Sequence, residues 1–152
     1  MNKGLLIKEV QEIINAVPKT SKYRQITILA NVSAFIYQEI NDLNWVGFYY
    51  IENDVFSLGP FQGKIACTNI SINKGMLGKC LKIKDVLNIK DVHLEKEHIA
   101  CDSNSNSELV LPISIKDEIK ILFDIDSPIK NRFDDELVIL FKEISNILSE
   151  KL

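Results

Sequence analysis

The apolar residues of this chain keep a helical period as far as Ile40 and then change to the aromatic, β-branched pattern of strands. That switch limits the fold more than any single motif does. Leu6, Val10, Ile13, Ile14 and Val17 predict a helix over 5–17, which Pro18 stops. Thr20 or Ser21 is expected to cap a second helix running to about Ile40, with Ile26, Leu29, Ala30, Val32, Phe35, Ile36 and Ile40 as its stripe. Beyond it, 45–51 and 55–58 read as strands around the turn signal Asn53-Asp54, and 59–63 reads as a loop. Strands are expected over 66–72 and 86–89, with a short helix over 75–81 between them. A second hairpin, 108–115 and 119–126, turns around Lys116-Asp117, and a helix over 133–152 closes the chain. Hairpins imply an antiparallel sheet, and helices at both ends can cover one face of it, so the expected class is α+β. The polar stretch 91–106 has no periodicity, and such a loop in a compact domain is usually functional.

Composition narrows the function. The chain has 152 residues, 46% hydrophobic and 26% charged, which fits one folded domain and excludes a disordered chain. Eighteen Lys and Arg against 21 Asp and Glu leave a net charge of −3, which argues against nucleic-acid binding as the main task. No apolar run is long enough for a membrane span, and the first ten residues lack the apolar core of a signal peptide. The expected location is therefore cytoplasmic. Three cysteines do not make a secreted disulfide scaffold, so in a reducing compartment they are either buried apolar residues or reactive thiols.

The loop carries His93, His98 and Cys101. A zinc site from His93, His98, Cys101 and Cys67 fits no usual ligand spacing, so no metal is expected. Cys101 lies in polar surroundings, before Asp102 and a run of Ser and Asn, where backbone N–H groups can stabilise a thiolate. Cys67 is expected at the start of a strand, and Cys80 on a half-buried helix face. Two cysteines in or beside loops suggest a dithiol pair, though each alone could equally be inert. Glu108 opens one predicted strand, and Asp124 and Asp126 share a face of another. They are either solvated at the strand end or form an acidic pocket for an amine or a metal ion, or a proton source with raised pKa. Trp45 is either core or the wall of a pocket.

Several segments carry a family pattern. They are Asn44-Trp45-Val46-Gly47-Phe48-Tyr49, Leu58-Gly59-Pro60-Phe61-Gln62-Gly63-Lys64, Ala66-Cys67-Thr68 and His98-Ile99-Ala100-Cys101-Asp102. Ser105-Asn106-Ser107-Glu108-Leu109-Val110-Leu111-Pro112 and Asp124-Ile125-Asp126-Ser127 continue it. In this order they resemble the free methionine-(R)-sulfoxide reductases, over nearly the whole chain. The resemblance implies a single GAF domain over 1–152, with a central antiparallel sheet and the N- and C-terminal helices on one face. It implies reduction of free L-methionine-(R)-sulfoxide to methionine with no cofactor. The residue matching Cys101 is the nucleophile and becomes a sulfenic acid, and the one matching Cys67 condenses with it to a disulfide, which thioredoxin reduces. The residues matching Glu108, Asp124 and Asp126 hold the substrate ammonium and help protonate or polarise the sulfoxide oxygen. Those matching Trp45 and Tyr49 complete the substrate pocket, the tryptophan against the substrate methyl. The family also tends to homodimers.

One departure stands out. Many members have a third cysteine where this chain has Leu77, ten residues after Cys67. Cys80, one helical turn on, is either a shifted resolving thiol or a plain helix-face residue; the latter is the expectation. Two competing functions remain on sequence grounds: a small-molecule sensor on the same fold, and a redox sensor signalling through a Cys67–Cys101 disulfide. Sensor copies are usually fused to an output domain, for which a chain of this length is not expected to have room.

Overall fold

The computed structural model describes residues 2–152. Helix α1 spans Lys3–Ala16 and is capped by the Asn2 side chain, which accepts a hydrogen bond from Leu5 N at 3.1 Å. Helix α2 spans Arg24–Glu39 and starts later than Thr20 or Ser21 would place it. The reason is local: Ser21 N donates to Pro18 O and Arg24 N to Ser21 O, so the segment forms successive turns. The Ser21 hydroxyl serves Tyr23 N, and Arg24 donates its guanidinium to the exposed carbonyls of Val17 and Ile14 at the end of α1.

The strands are β1 (Trp45–Glu52), β2 (Val55–Gly63), β3 (Asn69–Ser71), β4 (Leu87–Ile89), β5 (Ser107–Ile115) and β6 (Glu118–Ser127). They form one antiparallel sheet in the order β3-β2-β1-β6-β5-β4. The two expected hairpins are present. Asn53 and Asp54, and likewise Lys116 and Asp117, all have positive φ, the conformation that matches a two-residue turn to the strand twist.

Two expectations need correction. Residues 59–63 are not a loop but the second half of β2, paired with β1 as far as Gly63 opposite Trp45. The strand survives Pro60 because β3 pairs only with residues 55–57, which leaves the later part of β2 an edge. The third strand is also short, so Cys67 lies in a loop ahead of β3 and not in a strand.

Helices α3 (Gly75–Ile83) and α4 (Asp135–Lys151) complete the fold. Alternation along the strands separates two cores. Val46, Phe48, Leu109, Leu111, Phe123 and Ile125 point to the face covered by α2 and α4, with α1 packed outside them. There Phe48 stacks on Phe123 at 4.6 Å, and Phe141 of α4 meets Phe123 edge-on at 5.8 Å. Trp45, Tyr49, Val110 and Leu122 point to the opposite face, with Phe56 and with Met76, Leu77 and Cys80 of α3. The terminal helices thus share one face, as expected, and the other face is left for α3 and the loops. Among the described residues no helix is long and apolar enough to cross a membrane.

Candidate active site

The strand register assembles the site on the α3 face. Asp126 lies opposite both Trp45 and Glu108, and Asp124 lies opposite Gly47 and Val110. Period-2 alternation therefore puts Trp45, Tyr49, Glu108, Asp124 and Asp126 on one side of three adjacent strands. They line one cleft. Cys101, Asp102, His98 and Ile99 line it from the loop, and Lys74, Gly75, Met76 and Leu77 from the start of α3.

A disulfide joins Cys67 to Cys101, with their Cα atoms 5.8 Å apart. Thirty-four residues separate them in sequence, yet the fold lays their two loops across the same mouth. Several hydrogen bonds hold these loops. Tyr49 donates its hydroxyl to Cys67 O at 3.0 Å, and Trp45 Nε1 donates to Lys64 O at 3.2 Å. Asn44 Nδ2 donates to Asp102 Oδ2 at 3.1 Å and to Ser105 Oγ at 3.0 Å. The Asn104 backbone N–H and Asn44 hold the Asp102 carboxyl below its ordinary range, despite some burial. Trp45 is both core and wall: 4% exposed, it stacks on Phe61 at 5.2 Å and on Tyr49 at 5.8 Å.

The three acids are not solvated at a strand end. One oxygen from each lies within 4.8 Å of the others, and Glu108 and Asp124 are only 6% and 7% exposed. Burial, together with the neighbouring Asp126, pushes Glu108 up to about 8. Burial and the Glu108 charge raise Asp124 well above the carboxylate range. Asp126 is partly open to the cleft, but its carboxyl is likewise raised, by desolvation and then by Asp124. Close carboxyl groups in such a place are biased toward their protonated forms, and a cation entering among them reverses that bias. Their oxygens could hold a metal ion, and an ammonium group satisfies the same set. Glu108 Oε2 and Asp124 Oδ1 are buried with no N–H or hydroxyl donor, and a hydrogen bond between the two side chains, which lowers Glu108 and raises Asp124, requires a proton on one of them. Along the same cleft α3 begins at Lys74 with no side-chain cap, so its first N–H groups favour an anion.

The cleft thus offers an acidic side for an ammonium, a helix start for a carboxylate, an aromatic wall and a thiol pair at the mouth. Sequence reasoning missed Asn44, Ser105, Lys74 and Gly47. Gly47 carried a readable signal, a glycine inside an aromatic strand. A Cβ there would run into Phe61 and the Trp45 ring, so the glycine makes the aromatic stack possible. His93 is exposed and shares a hydrogen bond with Asn106 at 2.8 Å, outside the cleft.

Cys80 is fully buried, not half-buried, because α3 lies flat on the sheet. Its thiol donates to Asp85 O at 3.3 Å, and burial pushes it up to about 12. Leu77, not Cys80, lines the cleft. Cys80→Ser is expected to leave the cleft lining and the Cys67–Cys101 pair in place. It should cost about 1–2 kcal/mol of stability, read by denaturant titration.

No family model matches the chain. The free methionine-R-sulfoxide reductase of Escherichia coli is 43% identical over 136 residues, 90% of this chain and 82% of that protein. Protein YtsP of Bacillus subtilis is 45% identical over 113 residues, 73% of this chain and 69% of its own length. Among solved structures, reduced fRMsr of Staphylococcus aureus superposes with a TM-score of 0.91 at 40% identity, covering 99% of this chain and 95% of its own. The Neisseria meningitidis free methionine-R-sulfoxide reductase, solved with its substrate, gives 0.90 at 28% identity, covering 98% of this chain and 87% of its own. A GAF domain superposes at 0.87 with 28% identity over 99% and 89% of the two chains, so the expected GAF fold holds. On the strength of the Escherichia coli relative, and with these folds in agreement, the chain belongs to the free methionine-R-sulfoxide reductase family.

Proposed function

We propose that this chain reduces free L-methionine-(R)-sulfoxide to L-methionine as a single-domain enzyme, with Cys101 as nucleophile and Cys67 as resolving thiol. The observation that carries the reading is the Cys67–Cys101 disulfide at the mouth of a cleft floored by three clustered carboxyl groups, two of them buried. The substrate's ammonium enters among the acids, where Asp124 and Asp126 give up protons to pair with it. Its carboxylate meets Lys74 and the first turn of α3. Trp45 and Tyr49 pack against the methyl and the thioether chain.

The Cys101 sulfur attacks the sulfoxide sulfur while Glu108 passes its proton to the oxygen, which is a poor leaving group until protonated. The oxygen moves to Cys101 as a sulfenic acid and methionine leaves, so sulfur of the substrate is reduced and Cys101 oxidised. The Cys67 thiol then condenses with the sulfenic acid, forming the disulfide and water. A dithiol reductant takes up the oxidising equivalents by thiol–disulfide exchange, and the family resemblance makes it thioredoxin. The sequence reading puts the protein in the cytoplasm, where such a disulfide can be recycled, and the family resemblance points to a homodimer.

The test is methionine formation with dithiothreitol from the free (R)-sulfoxide, beside the (S) epimer and the N-acetylated (R)-sulfoxide. Free (R)-sulfoxide should be consumed, and the acetylated form should react about 10- to 100-fold more slowly, having lost a charged partner for the acids. Binding without consumption would leave a sensor. Equal rates on free and acetylated sulfoxide would remove the ammonium from the acidic site.

A further inference from the structure

Glu108 is buried, and its Oε2 has no hydrogen-bond partner. One ring nitrogen stands beside it: His98 Nε2, at 3.2 Å, out of line for a hydrogen bond. The His98 side chain is 12% exposed, and it lines the same cleft as Cys101. Its loop is anchored through the Cys67–Cys101 disulfide.

We propose that His98 is the positioning residue of Glu108: its Nε2–H turns onto Oε2 as Glu108 releases a proton to the sulfoxide oxygen. The inference rests on the reductase reading above. Glu108 carries no charge while protonated and tolerates an unpartnered Oε2. In the reaction its O–H bond breaks and a bond to the sulfoxide oxygen forms, so a negative charge appears on a buried carboxyl. A donor present only then stabilises the transition state more than the ground state.

The other groups facing Glu108 do not supply that donor once substrate is bound. Asp124 hydrogen-bonds Glu108 while it keeps its proton, but it gives that proton up beside the ammonium, and the Asp126 charge opposes a Glu108 anion. Tyr49 from β1 has committed its hydroxyl to Cys67 O, and Cys80 from α3 its thiol to Asp85 O. On the His98 side, Glu95 faces the imidazole and is itself held by Lys79 at 3.0 Å. Burial lowers the His98 pKa, with Glu95 acting against it, so the ring is neutral near pH 7 and donates from one nitrogen. His98 keeps its proton throughout. The proton that Cys101 loses on ionising goes to water, and water reprotonates Glu108 after methionine leaves.

The experiment follows kcat and KM against pH for the full-length wild type, His98→Leu and His98→Gln with dithiothreitol. His98→Leu should lower kcat about 10- to 100-fold with KM changed less than about threefold. Its alkaline limb should move to higher pH, because Glu108 without its donor holds the proton more tightly. His98→Gln, whose amide can donate, should recover most of kcat and return the limb toward wild type. If His98→Leu does not fold, His98→Asn, polar but too short to reach Oε2, takes its place. A merely structural role would leave the limb in place and give no recovery with Gln. Either that result or wild-type kcat in His98→Leu overturns the proposal while leaving the reductase intact. A wild-type chain inert toward the sulfoxide overturns the reductase reading and the inference with it.

Discussion

Cys101→Ser is expected to abolish methionine formation, by at least about 10⁴-fold, because a serine hydroxyl stays protonated at neutral pH and is a far weaker nucleophile. Cys67→Ser should behave differently. Its Cys101 can still attack the sulfoxide, so each reduced chain should yield one methionine. It should then stall with thioredoxin, since no second thiol is in reach to form the disulfide. Cys80 cannot substitute, being buried behind the cleft and hydrogen-bonded to a backbone carbonyl. Product assay over the first turnover separates the two variants, and intact mass should show one added oxygen on Cys67→Ser. Turnover surviving in Cys101→Ser would keep the reaction and move the nucleophile.

Glu108→Gln should lower kcat by about 10²–10⁴-fold, the range for loss of a positioned acid. Its effect on stability should have the opposite sign at alkaline pH. Glu108 titrates near 8 when folded, against 4.5 as its ordinary value. Between those values the folded state holds a proton that the unfolded state has lost. Stability therefore falls as pH rises through that window, and is unaffected by this group below it. Asp124 and Asp126 are shifted in the same direction and add to the decline. Glutamine has no proton to lose. Thermal melts should thus show Glu108→Gln more stable than wild type at the top of the window, with the gap closing toward acid pH. A gap independent of pH would mean that the Glu108 carboxyl is ionised in the free protein. Free methionine sulfoxide should also stabilise wild type more at pH 8 than at pH 5, by delivering an ammonium to the ionised acids.

Much of the fold was legible from local pattern. The helical stripe of α1, the two turn pairs with positive φ and the period-2 strands of the β5–β6 hairpin each follow from nearby residues alone. The errors fell where a distant partner decided. Residues 59–63 carry two glycines and a proline and look like a loop, but β1 supplies hydrogen bonds that hold them as a strand. Cys80 looks half-exposed on its own helix, and burial comes from the sheet beneath.

The site divides the same way. Residue chemistry is local, so the sequence alone identified the thiols, the acids and Trp45 as candidates, and the motif order pointed to the family. Two things it left open: whether the acids were solvated, and whether the thiols could meet. The answer to the first is the register of β1, β5 and β6, which places the carboxyl groups together beneath α3, with Glu108 and Asp124 buried and all three shifted toward their protonated forms. The answer to the second is loop packing across the cleft, which brings Cys67 and Cys101 within bonding distance. Burial and proximity between residues far apart in sequence are properties of the packed chain, and no window of sequence contains them.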